Sequence, residues 1–268
     1  ADVEMIRLAW EGLRRVGVEW CQLRLGHLGV LDGLLTACGL SEPAKLFIIG
    51  NVQDLKSGRT DVASLAGRAE DVGLLTRKAG PGAQRALADL DTGARELVQD
   101  VLRESIPAPV GRRTPDQIVA RLLRKVRDAD DPMMFEDGLQ LVSELGRLAG
   151  PPDAVLEKAQ RMASDRRWDA GGFDELERLL ARLAAGNSAG IDLVLDFGLA
   201  RGISYYTGVI FELMCPVGDE SISLGGGGRY DGLVRVLGCD EDVPALGFAY
   251  NLERVVAVSD GAGQGAWP

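Results

Sequence analysis

A group of polar side chains in the C-terminal third of the chain is best suited to chemistry. A guanidinium offers a planar fork of N–H donors that suits a carboxylate or a phosphate, and tyrosine joins an apolar ring to a polar hydroxyl. Because these residues stand beside short apolar stretches, they predict a polar small-molecule site at the ends of strands. They are Arg201, Tyr205, Tyr206, Arg229, Tyr230 and Arg254.

Several of these residues also have a purely structural interpretation. Arg201 lies between two apolar segments and could form a structural ion pair instead of binding a ligand. Tyr205 and Tyr206 are adjacent, so on a strand their rings point to opposite faces and only one can share a pocket with Arg201. Arg254 stands in the first turns of a predicted helix, where a cation gains nothing from the helix dipole and can instead face a bound anion.

Four consecutive glycines, residues 225–228, come directly before Arg229 and Tyr230. Glycine permits left-handed backbone angles and close approach by a ligand. Taken alone, the run predicts a hairpin turn or a strand-to-helix turn. Residues 231–234 then begin a predicted helix.

Hydrophobic periodicity divides the chain into the elements that must position these residues. Residues 1–50 predict α/β structure, with a helix over 3–16, a strand over 19–25, a helix over 30–38 and a capped segment from Ser41. Residues 51–185 have the three- and four-residue spacing of helices and predict an inserted helical subdomain. Residues 186–258 alternate with a period of two, typical of strands, and 259–268 form a tail.

Composition excludes several classes of protein. With 268 residues, 46% hydrophobic and 26% charged, the chain can bury a real core and is not a disordered tail. The net charge of −10 weighs against a broad electrostatic grip on nucleic acid. A basic cluster within residues 112–127 is best interpreted as a solvated helix face. No window offers about 18 consecutive apolar residues, so we predict a cytoplasmic protein without a membrane partner.

Histidine and cysteine usage argues against a metal site. The single histidine, His27, lies at a predicted strand-to-helix turn and is interpreted as a hydrogen-bonded structural residue. The cysteines lack a CxxC spacing, so we predict no zinc site and reduced, partly buried thiols. They are Cys21, Cys38, Cys215 and Cys239.

Three segments resemble the signature motifs of histidyl-tRNA synthetases and their relatives. Residues 200–212, ARGISYYTGVIFE, resemble the first histidine-recognition segment, and residues 227–234, GGRYDGLV, resemble the second. Residues 244–255, PALGFAYNLERV, resemble motif 3 of class II aminoacyl-tRNA synthetases. Residues 24–35 resemble the strand and helix before the insertion domain. The resemblance implies an α/β (α+β) fold, a class II synthetase-like antiparallel sheet core with a helical insertion.

The resemblance also implies roles for individual residues. Arg201 would face the carboxylate of bound histidine, and would be catalytic if the chain is a synthetase. Tyr206 would face the imidazole, and residues 226–229 would shape the floor beneath the amino acid. The implied histidine-binding residues are Arg201, Tyr205, Tyr206, Gly226, Gly228 and Tyr230. The implied ATP-binding residues are Gly247 and Arg254.

Two positions depart from the family pattern. Ser204 stands where the family has aspartate, and Asn251 replaces the second glycine of motif 3, which argues against adenine binding. We find neither motif 1 nor motif 2, and no anticodon-binding domain follows motif 3. We therefore expect this polypeptide alone not to aminoacylate tRNA, whether an N-terminal third has been removed or the chain is a degenerate paralogue.

Two functions remain as hypotheses, and fold alone does not choose between them. The first is a non-catalytic, histidine-binding regulatory subunit of ATP phosphoribosyltransferase in histidine biosynthesis. It would bind L-histidine, hold no tight cofactor, and assemble with the short catalytic subunit or as a homodimer. The second is a histidyl-tRNA synthetase, or its catalytic-core fragment, which would use ATP with magnesium to activate histidine for transfer to tRNA.

Overall fold

A six-stranded mixed sheet forms the centre of the protein in the computed structural model, which describes residues 1–75, 129–166, 171–186, 190–199, 205–218, 220–238, 241 and 243–259. The strand order is β2-β3-β1-β4-β5-β6. The strands are β1 (Cys21–His27), β2 (Ala149–Gly150), β3 (Ile191–Asp196), β4 (Val209–Val217), β5 (Glu220–Arg229) and β6 (Leu246–Tyr250).

The sheet is antiparallel except at one pair. Strands β1 and β3 run parallel, whereas β1 with β4, β4 with β5, β5 with β6 and β2 with β3 are antiparallel. A parallel pair requires a long crossover connection, and residues 28–190 supply it. The predicted α/β core is confirmed, although the sheet contains one parallel pair and is not wholly antiparallel.

Ten helices surround the sheet in the described part of the chain. The predicted helix at 3–16 is α1, the one at 30–38 is α2, and the strand predicted at 19–25 is β1. The capped segment from Ser41 is also confirmed, because its hydroxyl oxygen accepts the backbone N–H of Ala44. The helices are α1 (Asp2–Arg15), α2 (Leu28–Ala37), α3 (Glu42–Gly50), α4 (Val52–Ser57), α5 (Val62–Asp71), α6 (Pro132–Gly146), α7 (Pro152–Asp165), α8 (Gly171–Ala184), α9 (Leu233–Val236) and α10 (Leu252–Ala257).

The two faces of the sheet differ in chemistry. Side chains alternate along a strand, so residues of β1 and β4 divide between a helix face and a polar face. On the helix face, Leu23 and Leu25 are buried, and the Tyr250 hydroxyl donates to the carbonyl oxygen of Ala9 in α1 at 2.7 Å. On the polar face, the Arg24 guanidinium donates to the Gln22 side-chain oxygen at 2.9 Å.

The described part of residues 51–185 shares the core of the sheet. Strand β2 extends the sheet, and the rings of Phe173 and Phe197 meet edge to face at 6.2 Å. Asp130 accepts hydrogen bonds from the backbone and the hydroxyl of Ser41, at 2.8 and 2.6 Å. The basic cluster at 112–127 lies outside the described residues, and the predicted domain boundaries stay predictions.

The prediction of reduced, partly buried thiols is confirmed for the three cysteines that the structure describes. Cys21, Cys38 and Cys215 are buried and unpaired, and burial raises the pKa of each thiol. Cys239 lies outside the described residues. Within the described ranges, no helix combines the length and the apolar composition needed to cross a bilayer.

Candidate functional site

Glycines 225–228 lie inside strand β5 and do not form a turn. They pair with β4 on one side and with β6 on the other. A Cβ atom on Gly225 would lie 2.5 Å from the carbonyl oxygen of Ala249, and one on Gly227 would lie 2.0 Å from that of Gly247. The predicted turn was therefore wrong, because glycine is required here by the close approach of neighbouring strands.

Three glycines leave bare backbone on the polar face of the sheet. Gly226 and Gly228 alternate onto this face of β5, and Gly247 pairs with Gly228 from β6. We call these three residues the glycine floor. A Cβ atom on Gly247 would lie 2.8 Å from the Tyr230 hydroxyl oxygen, so that side chain crosses directly over the floor.

Three tyrosine rings converge beside the glycine floor. The ring centroids of Tyr205 and Tyr206 are 4.8 Å apart, and the ring of Tyr230 lies 5.5 Å from the first and 6.1 Å from the second. The prediction that Tyr205 and Tyr206 point to opposite faces was wrong, because they lie before β4 begins at Val209. We call the three residues the tyrosine wall.

The side chain of Arg229 points away from the glycine floor. Its neighbour Gly228 faces the tyrosine wall, so alternation directs Arg229 to the helix face. There its Nε and terminal nitrogen donate to the two carboxylate oxygens of Asp2, at 3.0 and 2.8 Å, and it also donates to Asp231 at 3.1 Å. These ion pairs raise the pKa of Arg229. Only its backbone can contribute to the predicted floor.

A second polar group stands at the other end of the floor. The Ser223 hydroxyl donates to the Glu212 carboxylate at 2.6 Å, and the Arg254 guanidinium donates to the Ser223 carbonyl oxygen at 3.2 Å. These residues line an open cleft of about 630 Å³. Sequence reasoning singled out Arg254 but missed Glu212 and Ser223. Glu212 is the lone charged residue in the apolar stretch of β4, and that signal could have identified it.

Asn251 caps helix α10 beside this cleft. Its side-chain oxygen accepts the backbone N–H of Arg254 at 3.3 Å, and its own backbone N–H donates to Leu224 at 2.9 Å. Its φ of −87° is one that any residue adopts. An asparagine therefore fits this junction as a helix cap, and its side chain lines the cleft.

Some predicted positions are not tested by this geometry. Arg201 and Ser204 lie outside the described residues, so the role assigned to Arg201 stays a prediction. His27 is buried, but neither ring nitrogen has a hydrogen-bond partner among the described residues. The prediction of a hydrogen-bonded structural histidine was wrong in that respect.

Known proteins with two different names are similar to this chain. The chain is 29% identical over 237 residues to the ATP phosphoribosyltransferase regulatory subunit of Brucella anthropi, covering 87% of this chain and 61% of that protein. It is 36% identical over 130 residues to the histidine–tRNA ligase of Thermococcus kodakarensis, covering 48% of this chain and 29% of that protein. The chain thus spans less than two thirds of the length of these relatives.

Solved structures share the fold. The histidyl-tRNA synthetase of Nostoc sp. PCC 7120 matches with a TM-score of 0.54 and 18% identity over 97% of this chain and 47% of that one. An ATP phosphoribosyltransferase regulatory subunit/histidyl-tRNA synthetase from Bacillus halodurans matches with a TM-score of 0.52 and 17% identity over 95% and 48%. The profile of the family described as histidyl-tRNA synthetase matches residues 1–255. The chain therefore belongs to the histidyl-tRNA synthetase family.

Proposed function

We propose that this chain binds L-histidine over the glycine floor and acts as a non-catalytic regulatory subunit of an ATP phosphoribosyltransferase. The observation that carries the proposal is the tyrosine wall closing over three side-chain-free positions. Such a surface admits a flat ring against the backbone and holds it between aromatic faces. An imidazole has this shape, and aromatic contacts contribute about 0.5–1.5 kcal/mol beyond their buried area.

The ammonium and carboxylate groups of a bound amino acid also have suitable partners around the glycine floor. Glu212, on the neighbouring strand β4, provides a carboxylate that can bind the ammonium group of histidine. Arg201 lies shortly before the tyrosine pair in the sequence, six residues before Thr207. We expect it to bind the carboxylate of histidine, because a guanidinium forms paired hydrogen bonds with a carboxylate. Together these groups would select a free amino acid over imidazole alone.

Two observations favour the regulatory function over catalysis. Similarity to the Brucella regulatory subunit extends over 87% of this chain, whereas similarity to the Thermococcus ligase extends over 48%. In the cleft, Asn251 places a side chain where the family pattern has glycine, and the Arg254 guanidinium is bonded to the Ser223 carbonyl. Both features oppose a tight adenine nucleotide site.

A histidyl-tRNA synthetase is the second candidate. It is favoured by the 36% identity to the Thermococcus ligase and by the position of Arg254 on a cleft of about 630 Å³ next to the floor. That cleft has the size of a small-molecule site. In this case ATP with magnesium would bind beside histidine, and tRNA would be the second substrate.

Two assays on the full-length gene product separate the candidates. We expect no histidine-dependent exchange of pyrophosphate into ATP, and co-purification with the short ATP phosphoribosyltransferase catalytic subunit of the same genome. Exchange that requires histidine would establish the synthetase. A chain that remains a monomer or a homodimer and leaves that catalytic subunit unaffected would contradict the regulatory function.

A further inference from the structure

We propose a second small-molecule site on the helix face of the sheet, which binds an oxyanion, either a carboxylate or a phosphate group. The site is a cavity of about 260 Å³ enclosed by the N-terminal end of α1, the last residue of β1 and one side of α8. It is separate from the proposed histidine site, because His27 and Val209 line it from the face opposite Gly228.

One wall of this cavity is a buried imidazole that has no hydrogen-bond partner in the described part of the chain. His27 is 3% exposed, and neither of its ring nitrogens is hydrogen-bonded to any residue that the structure describes. The nearest carboxylate oxygen, on Glu175, is 3.7 Å from Nε2, which is beyond hydrogen-bond distance. A buried polar group in this state needs a partner, and the cavity is the space from which a ligand can supply one.

The protonation state of His27 suits a hydrogen bond to an anion. Burial lowers the pKa of His27, and the nearby charges of Glu175 and Asp2 oppose this only in part. The ring is therefore neutral at pH 7 and presents one N–H donor and one acceptor nitrogen. The N–H can donate to an oxyanion without a full positive charge being buried.

The charges around the cavity favour an anion over a cation. Arg178 and Arg182 line it from positions one turn apart on the same side of α8. The negative charge of Glu175 offsets the charge of one arginine. Asp2 accepts two hydrogen bonds from Arg229, which offset its negative charge. Arg178 and Arg182 are the lining side chains that can bind an anion.

Apolar side chains complete the walls. Val3, Leu179 and Val209 line the cavity alongside the charged groups. A bare inorganic ion would leave this apolar surface without contacts. The cavity therefore suits a small organic molecule that places its carboxylate or phosphate between the arginines and His27 and its carbon skeleton against these walls.

The experiment uses the fact that His27 is the single histidine of the chain. In ¹⁵N-labelled full chain at constant ionic strength, the His27 ring resonances are followed by NMR during titration with inorganic phosphate and, separately, with acetate. We expect a saturable shift with at least one of these probes. Arg182→Gln should weaken that binding about tenfold, as expected for loss of a charged hydrogen bond. Arg15→Gln, at an exposed position at the end of α1, should not change it.

Saturation with unlabelled L-histidine supplies a second readout. The anion titration should persist, because the two ligands occupy opposite faces of the sheet. Ring resonances that do not move with either probe would overturn the proposal, as would equal titrations in Arg182→Gln and the wild type. Loss of the response under saturating L-histidine would place the anion on the glycine floor and would also overturn it.

Discussion

Gly228 lies directly against the ring of Tyr206. A Cβ atom on Gly228 would come within 2.8 Å of Cδ1 of that ring and within 2.6 Å of the Val209 carbonyl oxygen. Any side chain at this position must therefore displace the tyrosine or separate β4 from β5. One glycine thus sets both the floor and the wall of the proposed histidine site.

Replacing Gly228 with alanine should damage both stability and binding. We expect Gly228→Ala to lower the free energy of unfolding by about 1–3 kcal/mol through overpacking, and to weaken histidine binding because Tyr206 must move. Urea unfolding followed by circular dichroism measures the first effect, and calorimetry measures the second.

Gly33→Ala is the matched control. Gly33 lies within α2, and a Cβ atom there meets no atom within 4 Å. Alanine is the better helix former by about 1 kcal/mol, so this variant should be as stable as the wild type or more stable, with unchanged histidine binding. Equal loss in the two variants would contradict the packing assigned to Gly228.

The ion pair between Asp2 and Arg229 should make stability depend on pH. Burial alone would raise the pKa of Asp2, but the hydrogen bonds and charge of Arg229 outweigh it and leave that pKa below its ordinary value of 3.8. The contribution is therefore present above pH 3.8 and is lost as the pH falls through the lowered pKa. Asp2→Asn should cost about 1–2 kcal/mol at pH 7.

Urea unfolding at pH 7 and at pH 3 tests this sign. The difference in unfolding free energy between the wild type and Asp2→Asn should shrink at the lower pH. Glu4→Gln, an exposed change in the same first turn of α1, controls for the helix dipole. An Asp2→Asn effect that is the same at both pH values would rule out the ion pair as its source.

Lys56 should be needed to keep Asp196 buried. Its Nζ lies 2.5 and 2.7 Å from the two carboxylate oxygens of Asp196, whose side chain is 4% exposed. Removing one partner of a buried pair leaves an uncompensated charge, so Lys56→Ala should cost about 3 kcal/mol in thermal or urea unfolding. Lys158→Ala, on the exposed side of α7, should change stability by about 0.5 kcal/mol or less.

His27 should titrate below the usual range of histidine. Burial lowers the pKa of His27 in the folded state below its ordinary value of 6.5. At pH values between that lowered pKa and 6.5, the unfolded chain therefore binds more protons than the folded one. Stability should therefore fall as the pH falls below about 6.5. NMR of the single imidazole gives the pKa directly, and a value at or above 6.5 would contradict the buried, neutral ring.

The elements that depend on local signals could be predicted from the sequence. Helix α1, strand β1 and helix α2 follow from hydrophobic spacing, and the Ser41 cap follows from a hydroxyl placed before proline and an apolar run. The motif resemblance also selected Tyr206 and Tyr230, which the structure brings together.

The features that depend on distant parts of the chain could not be predicted. Glycines 225–228 were predicted to form a turn. The carbonyl groups that exclude a Cβ atom there belong to β4 and β6, and the glycine run itself does not reveal them. Arg229 appeared to belong to the floor because its partner Asp2 lies 227 residues away. The orientation of Tyr205 depended on where β4 begins, and strand boundaries are weakly encoded in sequence.

Titration calorimetry with L-histidine tests the central claim most directly. The full-length protein should give saturable heat for one site per chain. Tyr206→Ala and Tyr230→Ala should each remove most of that heat, and Tyr250→Phe, which changes a tyrosine on the helix face, should retain it. Absence of heat and of any thermal shift with L-histidine in the wild type, or undiminished binding in both wall variants, would contradict a histidine site on the glycine floor.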